Sequence, residues 1–246
     1  MYIKRTWKFK NSIEVEKIHT FTCRAKGMKR NAKINQTKES VKKNNKRKAV
    51  DRLRRLIKAN FENGYHVVLT YDKDNRPDRV RAEKELKNFV RRMKYRFNKA
   101  GEEFKYILVT EYENKAIHHH LIINDSDKIN INRTMAEQWS RNGHVNYTML
   151  YVDEEVETLA EYLIKETDKT FRDDECTKQR YTRSRNLIEP VCTQTILKGN
   201  TFQNNPSVPA GYALKKDTLI NGVSDITGYP YQKYTLYKVS NYRRRM

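Results

Sequence analysis

The chain has 246 residues, with 51 Lys and Arg against 30 Asp and Glu, a formal charge of +21 at neutral pH. That length suits one large domain or a domain with extensions, and the charge points to a polyanion, most often nucleic acid, or to an anionic membrane. No apolar run approaches the roughly 20 residues needed to span a bilayer. Met1–Lys10 lacks the apolar stretch of a secretion signal, so a membrane partner is not expected. Cys23, Cys176 and Cys192 are odd in number and widely spaced, which suggests free thiols in a reducing cytoplasm rather than a disulfide frame or a zinc knuckle.

Residues 1–58 hold 20 of the basic residues and 4 acidic ones, so most of the excess charge lies there. Val15–Cys23 reads as a strand. Lys26–Lys48 has almost no apolar residue and reads as a basic, mobile arm suited to phosphates, whose neutralisation releases counterions. Val50, Leu53, Ile57 and Phe61 form a helical stripe that stops at Asn63-Gly64. His66–Tyr71 is a predicted strand and Asp72–Pro77 a turn-rich loop. Leu86, Phe89, Val90, Met93 and Phe97 recur at helical spacing before Gly101. Lys105–Tyr112 and Ile117–Asn124 are predicted strands, joined by four residues in a hairpin. A short helix follows over Asn132–Trp139, then a strand over His144–Val152. A helix over Asp153–Thr167 carries acidic residues in its first turn, as its dipole favours. Beyond residue 172 the pattern is weaker, with Arg180, Arg183 and Arg185 around Tyr181, a terminal strand over Tyr229–Val239, and a basic end at Arg243–Arg245.

The order β-α-β-β-α-β-α predicts an α+β fold of ferredoxin-like, RRM-like type: an antiparallel sheet with helices on one face and a site on the other. The implied division is a basic N-terminal extension over 1–60, a central domain over 61–190, and a C-terminal extension over 191–246. No phosphate-binding loop ending in Gly-Lys-Ser/Thr occurs, so an attached helicase or ATPase is not expected.

Three of the six histidines are consecutive, His118-His119-His120, inside a β-branched apolar run. Strand alternation puts His118 and His120 on one face and His119 on the other with Ile117, Leu121 and Ile123. Two imidazoles on one face suit a metal ion, and a carboxylate would complete the set. Glu111 lies inside the preceding strand, where the hairpin lays it beside both rings. Glu113, at the turn, is the weaker candidate. His, His and carboxylate with open positions suit Mn²⁺ or Mg²⁺ holding a phosphate oxygen rather than a closed structural zinc. In the helix over 153–167, Val156, Leu159, Ala160 and Leu163 form the buried stripe. Tyr162 and Lys165 are neighbours on the side away from it.

Together these residues resemble the HUH endonuclease superfamily, and more narrowly the single-tyrosine replication initiators of rolling-circle plasmids and phages. HVVLTYD (66–72), the histidine strand and YLIK (162–165) look like that group's three motifs in order, and YTRSRNL (181–187) is similar to a stretch in some members. The resemblance covers roughly residues 65–170. It implies that Glu111, His118 and His120 hold a divalent metal, Mn²⁺ or Mg²⁺. Tyr162 would attack a scissile phosphate and remain joined to the 5′ end, with Lys165 stabilising charge. Thr70 would line the site, and Arg183 and Arg185 are expected to contact DNA. The implied partners are single-stranded or origin DNA and a host helicase and polymerase, in the cytoplasm of a bacterial host. An HUH-type transposase or mobilisation relaxase shares these motifs. A non-catalytic RRM-like binding domain would instead show paired aromatics where Glu111, His118 and His120 stand. The family's middle position is usually apolar, and His119 departs from it.

Overall fold

The computed structural model describes residues 1–24, 26–28, 37–113, 116–150, 153–170, 181–224 and 227–239. Cys176, Arg180, Arg243–Arg245, the Glu113 side chain and the acidic side chains of residues 153–155 lie outside what is described. In chain order the elements begin with β1 (Tyr2–Lys8), β2 (Ser12–Ile18), α1 (Lys38–Asn60), β3 (Tyr65–Thr70) and α2 (Arg79–Lys99). They continue with β4 (Tyr106–Glu113), β5 (Ala116–Ile123), α3 (Ile131–Trp139), β6 (Val145–Met149) and α4 (Asp153–Thr170). The last strands are β7 (Thr182–Arg183), β8 (Cys192–Leu197), β9 (Tyr212–Val223) and β10 (Pro230–Lys238). The chain divides into two compact units, one of residues 46–189 and one of residues 1–45 with 190–246.

The central unit is a mixed α+β fold whose sheet runs β6-β3-β5-β4-β7, antiparallel throughout. Its first four strands in sequence, β3 to β6, stand in the spatial order fourth, first, third, second, with α2 and α3 as the crossovers, which is the split βαβ arrangement. Local chemistry sets the helix ends. Asp78 caps α2 by accepting from the Arg81 amide at 2.7 Å, and Asn130 caps α3 by accepting from the Arg133 amide at 3.0 Å. Gly101, at φ 72, supplies the left-handed residue that ends α2.

Alternation along each strand builds two cores. Val67, Leu69, Leu108, Leu121 and Ile123 face α2 and α3, packing on Leu86, Phe89, Met93, Phe97, Met135 and Trp139. Ile107, Val109 and Ile122 face the other way, against Leu53 and Ile57 of α1 and Leu159, Leu163 and Ile164 of α4. The fold class is the one expected, but helices lie on both faces. The second face is apolar over Ile107, Val109 and Ile122, and leaving that area in water would forfeit about 25 cal/mol per Å². Only the end bearing Glu111, His118 and His120 stays polar.

The other unit is a second five-stranded antiparallel sheet, β8-β1-β2-β10-β9. The N-terminal hairpin lies between strands from the C-terminal part of the chain, so the two sequence extensions share one hydrogen-bonded ladder. Its small core is Val15, Tyr234 and Leu236 with Ile13, Tyr212, Leu214 and Leu219 around it. Glu16 is held by Arg5 and Lys233, each at 3.3 Å. These charges on a pleated strand are what hid β1 from a hydrophobic-pattern reading. The basic run expected as an arm is helical from Lys38 onward, and residues 29–36 lie outside the described set. Cys23 and Cys192 are free thiols.

The connection from α3 to β6 crosses the end of β3 closely. The Thr70 and His144 backbones exchange hydrogen bonds at 3.0 and 3.2 Å. A Cβ on Gly143 would lie 2.3 Å from the Thr70 carbonyl oxygen and 2.8 Å from the Asp72 nitrogen. Both obstacles are backbone, so Gly143→Ala should cost about 1–3 kcal/mol of stability. Urea unfolding of the two proteins checks this; equal midpoints would contradict it.

Candidate functional site

The site forms on the polar end of the second sheet face. β5 is central, paired with β3 on one side and β4 on the other. In register, Glu111 stands opposite His118, and Thr70 stands opposite His118 from the other side. His120 stands opposite Val109 and Val68. Side chains two apart on a strand share a face, so Glu111, His118, His120, His66 and Thr70 all project to the α1 and α4 side.

Four of the side chains here make one connected hydrogen-bond chain. His120 Nε2 lies 3.0 Å from Glu111 Oε2, and the Tyr162 hydroxyl donates to the same oxygen at 3.0 Å. On the other side of His120, its Nδ1 lies 3.2 Å from His66 Nε2. The two imidazoles are stacked, 5.4 Å apart and 12° from parallel, and the Tyr162 ring meets His120 edge-on at 5.4 Å. Burial and the neighbouring His118 push His120 down to about 4, opposed by Glu166; burial and His120 push His66 down to about 4. Both rings are therefore neutral at pH 7. His120 is then a donor through Nε2 to Glu111 and an acceptor through Nδ1 from the His66 Nε2–H. Every donor in the chain points toward Glu111, which is 5% exposed, while Tyr162 is 39% exposed at the open end.

α4 positions its residues by helical period. Val156, Leu159, Ala160 and Leu163 face the core. Tyr162 leaves the other side and reaches Glu111, while Lys165, one turn on, is exposed. Thr70 donates its hydroxyl to the His144 carbonyl at 3.3 Å. Arg183, on edge strand β7, pairs with Glu189 at 2.5 Å, and Arg185 is exposed in the turn beyond.

Two participants escape the sequence reading. His66 lies in the first strand, two and four residues before Val68 and Thr70, so alternation alone would have put it on the site face. Glu166, four residues after Tyr162, is buried and close enough to raise the His120 pKa; its i+4 spacing was the available signal.

His119 has a different place. It is fully buried on the α2 and α3 side. Its Nε2 lies 3.0 Å from the Tyr71 hydroxyl and its Nδ1 3.0 Å from the Thr110 hydroxyl. Either tautomer satisfies both partners, since each hydroxyl can donate or accept. Its ring also meets Trp139 edge-on at 5.9 Å. Burial pushes its pKa down to about 3, with His120 and His118 adding to the shift. It is a core histidine with its polar atoms paired.

The donor chemistry around Glu111 fits a divalent ion: neutral imidazoles and a buried carboxyl group are the ligand types such ions take. As they stand, among the described residues, no three His, Cys, Asp or Glu side chains are arranged to hold an ion. The His120–Glu111 hydrogen bond would have to give way to coordination. Among the described residues, no helix is long and apolar enough to cross a membrane.

The fold and site define a class: a ferredoxin-like α+β unit carrying histidine, carboxyl and tyrosine side chains together on one end of a sheet face. Residues 64–171 match the family model for replication-associated proteins of the ORF2 type. The match covers the central sheet from β3 to β5, helices α2 to α4, and every member of the hydrogen-bonded chain. That region is therefore similar to DNA replication-associated proteins. No curated protein and no solved structure matches the chain.

His119 also gives the protein an acid sensitivity. Its folded pKa is depressed, so an unfolded chain, with histidine near 6.5, binds a proton that the folded one refuses. The unfolded state gains as pH falls below about 6.5, and the loss continues down to about 3. At pH 5 this one group should cost about 2 kcal/mol relative to pH 7. Urea midpoints at the two pH values should differ more in the wild type than in His119→Gln; an equal difference would contradict the assignment.

Proposed function

We propose that this protein is a replication initiator that nicks and rejoins single-stranded DNA at an origin, through a covalent 5′-phosphotyrosine, in rolling-circle replication. The observation that supports it most is the shared hydrogen bonding of Glu111 Oε2 with His120 and Tyr162. It sets a phenol, a carboxyl group and a neutral imidazole together on a sheet face of a region similar to replication-associated proteins. The same machinery would serve a transposase or a mobilisation relaxase; the family match favours the replication role.

In the proposed reaction the Tyr162 oxygen attacks the scissile phosphorus and the bond to the 3′-oxygen breaks. The phenol proton passes toward Glu111, which already accepts it in a hydrogen bond, and the departing 3′-oxygen takes a proton from water. The 5′-phosphate stays on Tyr162, and the free 3′-hydroxyl primes synthesis. Rejoining is the reverse: a 3′-hydroxyl attacks the phosphotyrosine and Tyr162 regains its proton. Glu111, His118 and His120 would hold a divalent ion, Mn²⁺ or Mg²⁺, which when bound neutralises charge developing on the phosphate oxygens. His66 orients the His120 ring by hydrogen bond and stacking. Lys165, one turn from Tyr162, adds positive charge beside the phosphate, and Thr70, Arg183 and Arg185 contact the strand. The duplex would be opened by a host helicase and copied by a host polymerase in a bacterial cytoplasm.

Incubation with labelled single-stranded origin DNA and Mn²⁺ should give a covalent adduct on a denaturing gel. Tyr162→Phe should abolish it, and adduct retained in that variant would sink the nucleophile assignment. Removing the ion with EDTA, or both rings with His118→Ala and His120→Ala, should lower cleavage by at least about 100-fold, the scale of losing electrostatic stabilisation at a phosphate. His66→Phe keeps a flat ring but no donor. It should weaken Mn²⁺ binding by about 10-fold, read by electron paramagnetic resonance titration; unchanged affinity would remove His66 from the site.

A further inference from the structure

The charge of the central unit is also concentrated on a surface that the site does not use. α2 covers the sheet face opposite Tyr162. From Leu86 to Lys99 it contains Lys87, Arg91, Arg92, Lys94, Arg96 and Lys99 and no acidic residue. Lys84, Lys87, Arg91 and Lys94 recur at i, i+3, i+7 and i+10. That period places them within about 80° of one another on an outward flank, along about 15 Å of helix. All four are exposed. A second group of cations meets the helix on its other flank. Arg92 donates to the Gln138 carbonyl at 2.8 Å, next to the exposed Arg141 at the end of α3. Burial, then Arg141 and Arg91, disfavour the charged form of Arg92, with only Glu85 opposing. Three guanidiniums crowded this way repel one another until an anion arrives.

We propose that the outward face of α2, with Arg92 and Arg141 beside it, is a second nucleic-acid surface that binds the phosphate backbone of duplex DNA flanking the cleavage site. A strand seated at Tyr162 lies on the other side of the sheet and cannot reach this face. Single-strand surfaces combine a cationic groove with several stacking aromatics. Here the surface is the convex side of a helix, and its outward-pointing aromatic is Tyr95. A straight, rigid row of cations fits the fixed phosphates of a duplex, and guanidiniums suit phosphate oxygens by geometry as well as charge. The 21-residue helix is about 30 Å long, close to one turn of B-DNA, about 34 Å. The inference rests on the charge and placement of α2, and does not require that the protein cleave DNA.

The test uses the full chain and a duplex of about two turns, with binding followed by fluorescence anisotropy between about 50 and 200 mM salt. The ridge variant is Lys84→Ala, Lys87→Ala, Arg91→Ala and Lys94→Ala. A control variant removes the same charge elsewhere, through Lys8→Ala, Lys10→Ala, Lys198→Ala and Lys216→Ala. The ridge variant should lose at least about tenfold in duplex affinity, and its salt slope should fall by about 3. The control should lose less than about a third of that slope change, and adduct formation on a short single strand should stay within about twofold of wild type in both. An unchanged slope, an equal loss in the control, or an equal loss on single-stranded DNA overturns the proposal, as does a parallel loss of adduct. If the wild type forms no adduct at all, the cleavage reading fails while the duplex arms still decide this one.

Discussion

The site depends on the two-residue period of β5. A central strand in an antiparallel sheet has no freedom to turn one side chain without turning all of them, because its register is locked on both sides. His118 and His120 therefore share a face, and His119 is driven into the opposite core. A slip of one residue would bury both site histidines and expose the core one. Pairing with β3 and β4 at the same time prevents that, and it also delivers His66 from one neighbour and Glu111 from the other.

The low dielectric around this strand explains the protonation states on both faces. Burial makes an imidazolium costly, so His66, His119 and His120 are held neutral well below pH 6. On the core side neutrality lets His119 use both nitrogens, one as donor and one as acceptor, between Tyr71 and Thr110. On the site side it gives the chain from His66 through His120 a direction that ends on Glu111. A protonated His120 would have no acceptor to offer His66. The same desolvation thus serves packing on one face and a directed polar network on the other.

Charge is divided by element. α2 is basic over its outward face. The sequence of α4 is acidic in its first turn, and α4 brings Glu166 near His120. Glu111 collects hydrogen bonds from both a strand and a helix. The overall charge of +21 is thus spread over surfaces with distinct neighbours, and the number alone hides this.

Local pattern was enough to place the central elements. The apolar spacings of α2 and α4, the stop at Gly101 and the alternation of β3 to β5 are all properties of short stretches, and so is the pairing of Glu111 with the histidine strand across a four-residue hairpin. The strands β1, β8 and β9 were not legible, because their apolar residues are interrupted by charges and their partners lie far away in sequence. For the same reason the union of both chain ends in one sheet could not be read. His66 and Glu166 became site residues only through tertiary placement: a strand neighbour 54 positions away, and a helix seated on the sheet. The sequence by itself determined which side chains share a face, since strand and helix periods are set by backbone geometry. Only the tertiary structure decided which faces meet, because that depends on where buried apolar area is available. It is why α1 and α4 cover part of the face expected to be open, and why the polar end of that face remains for the site.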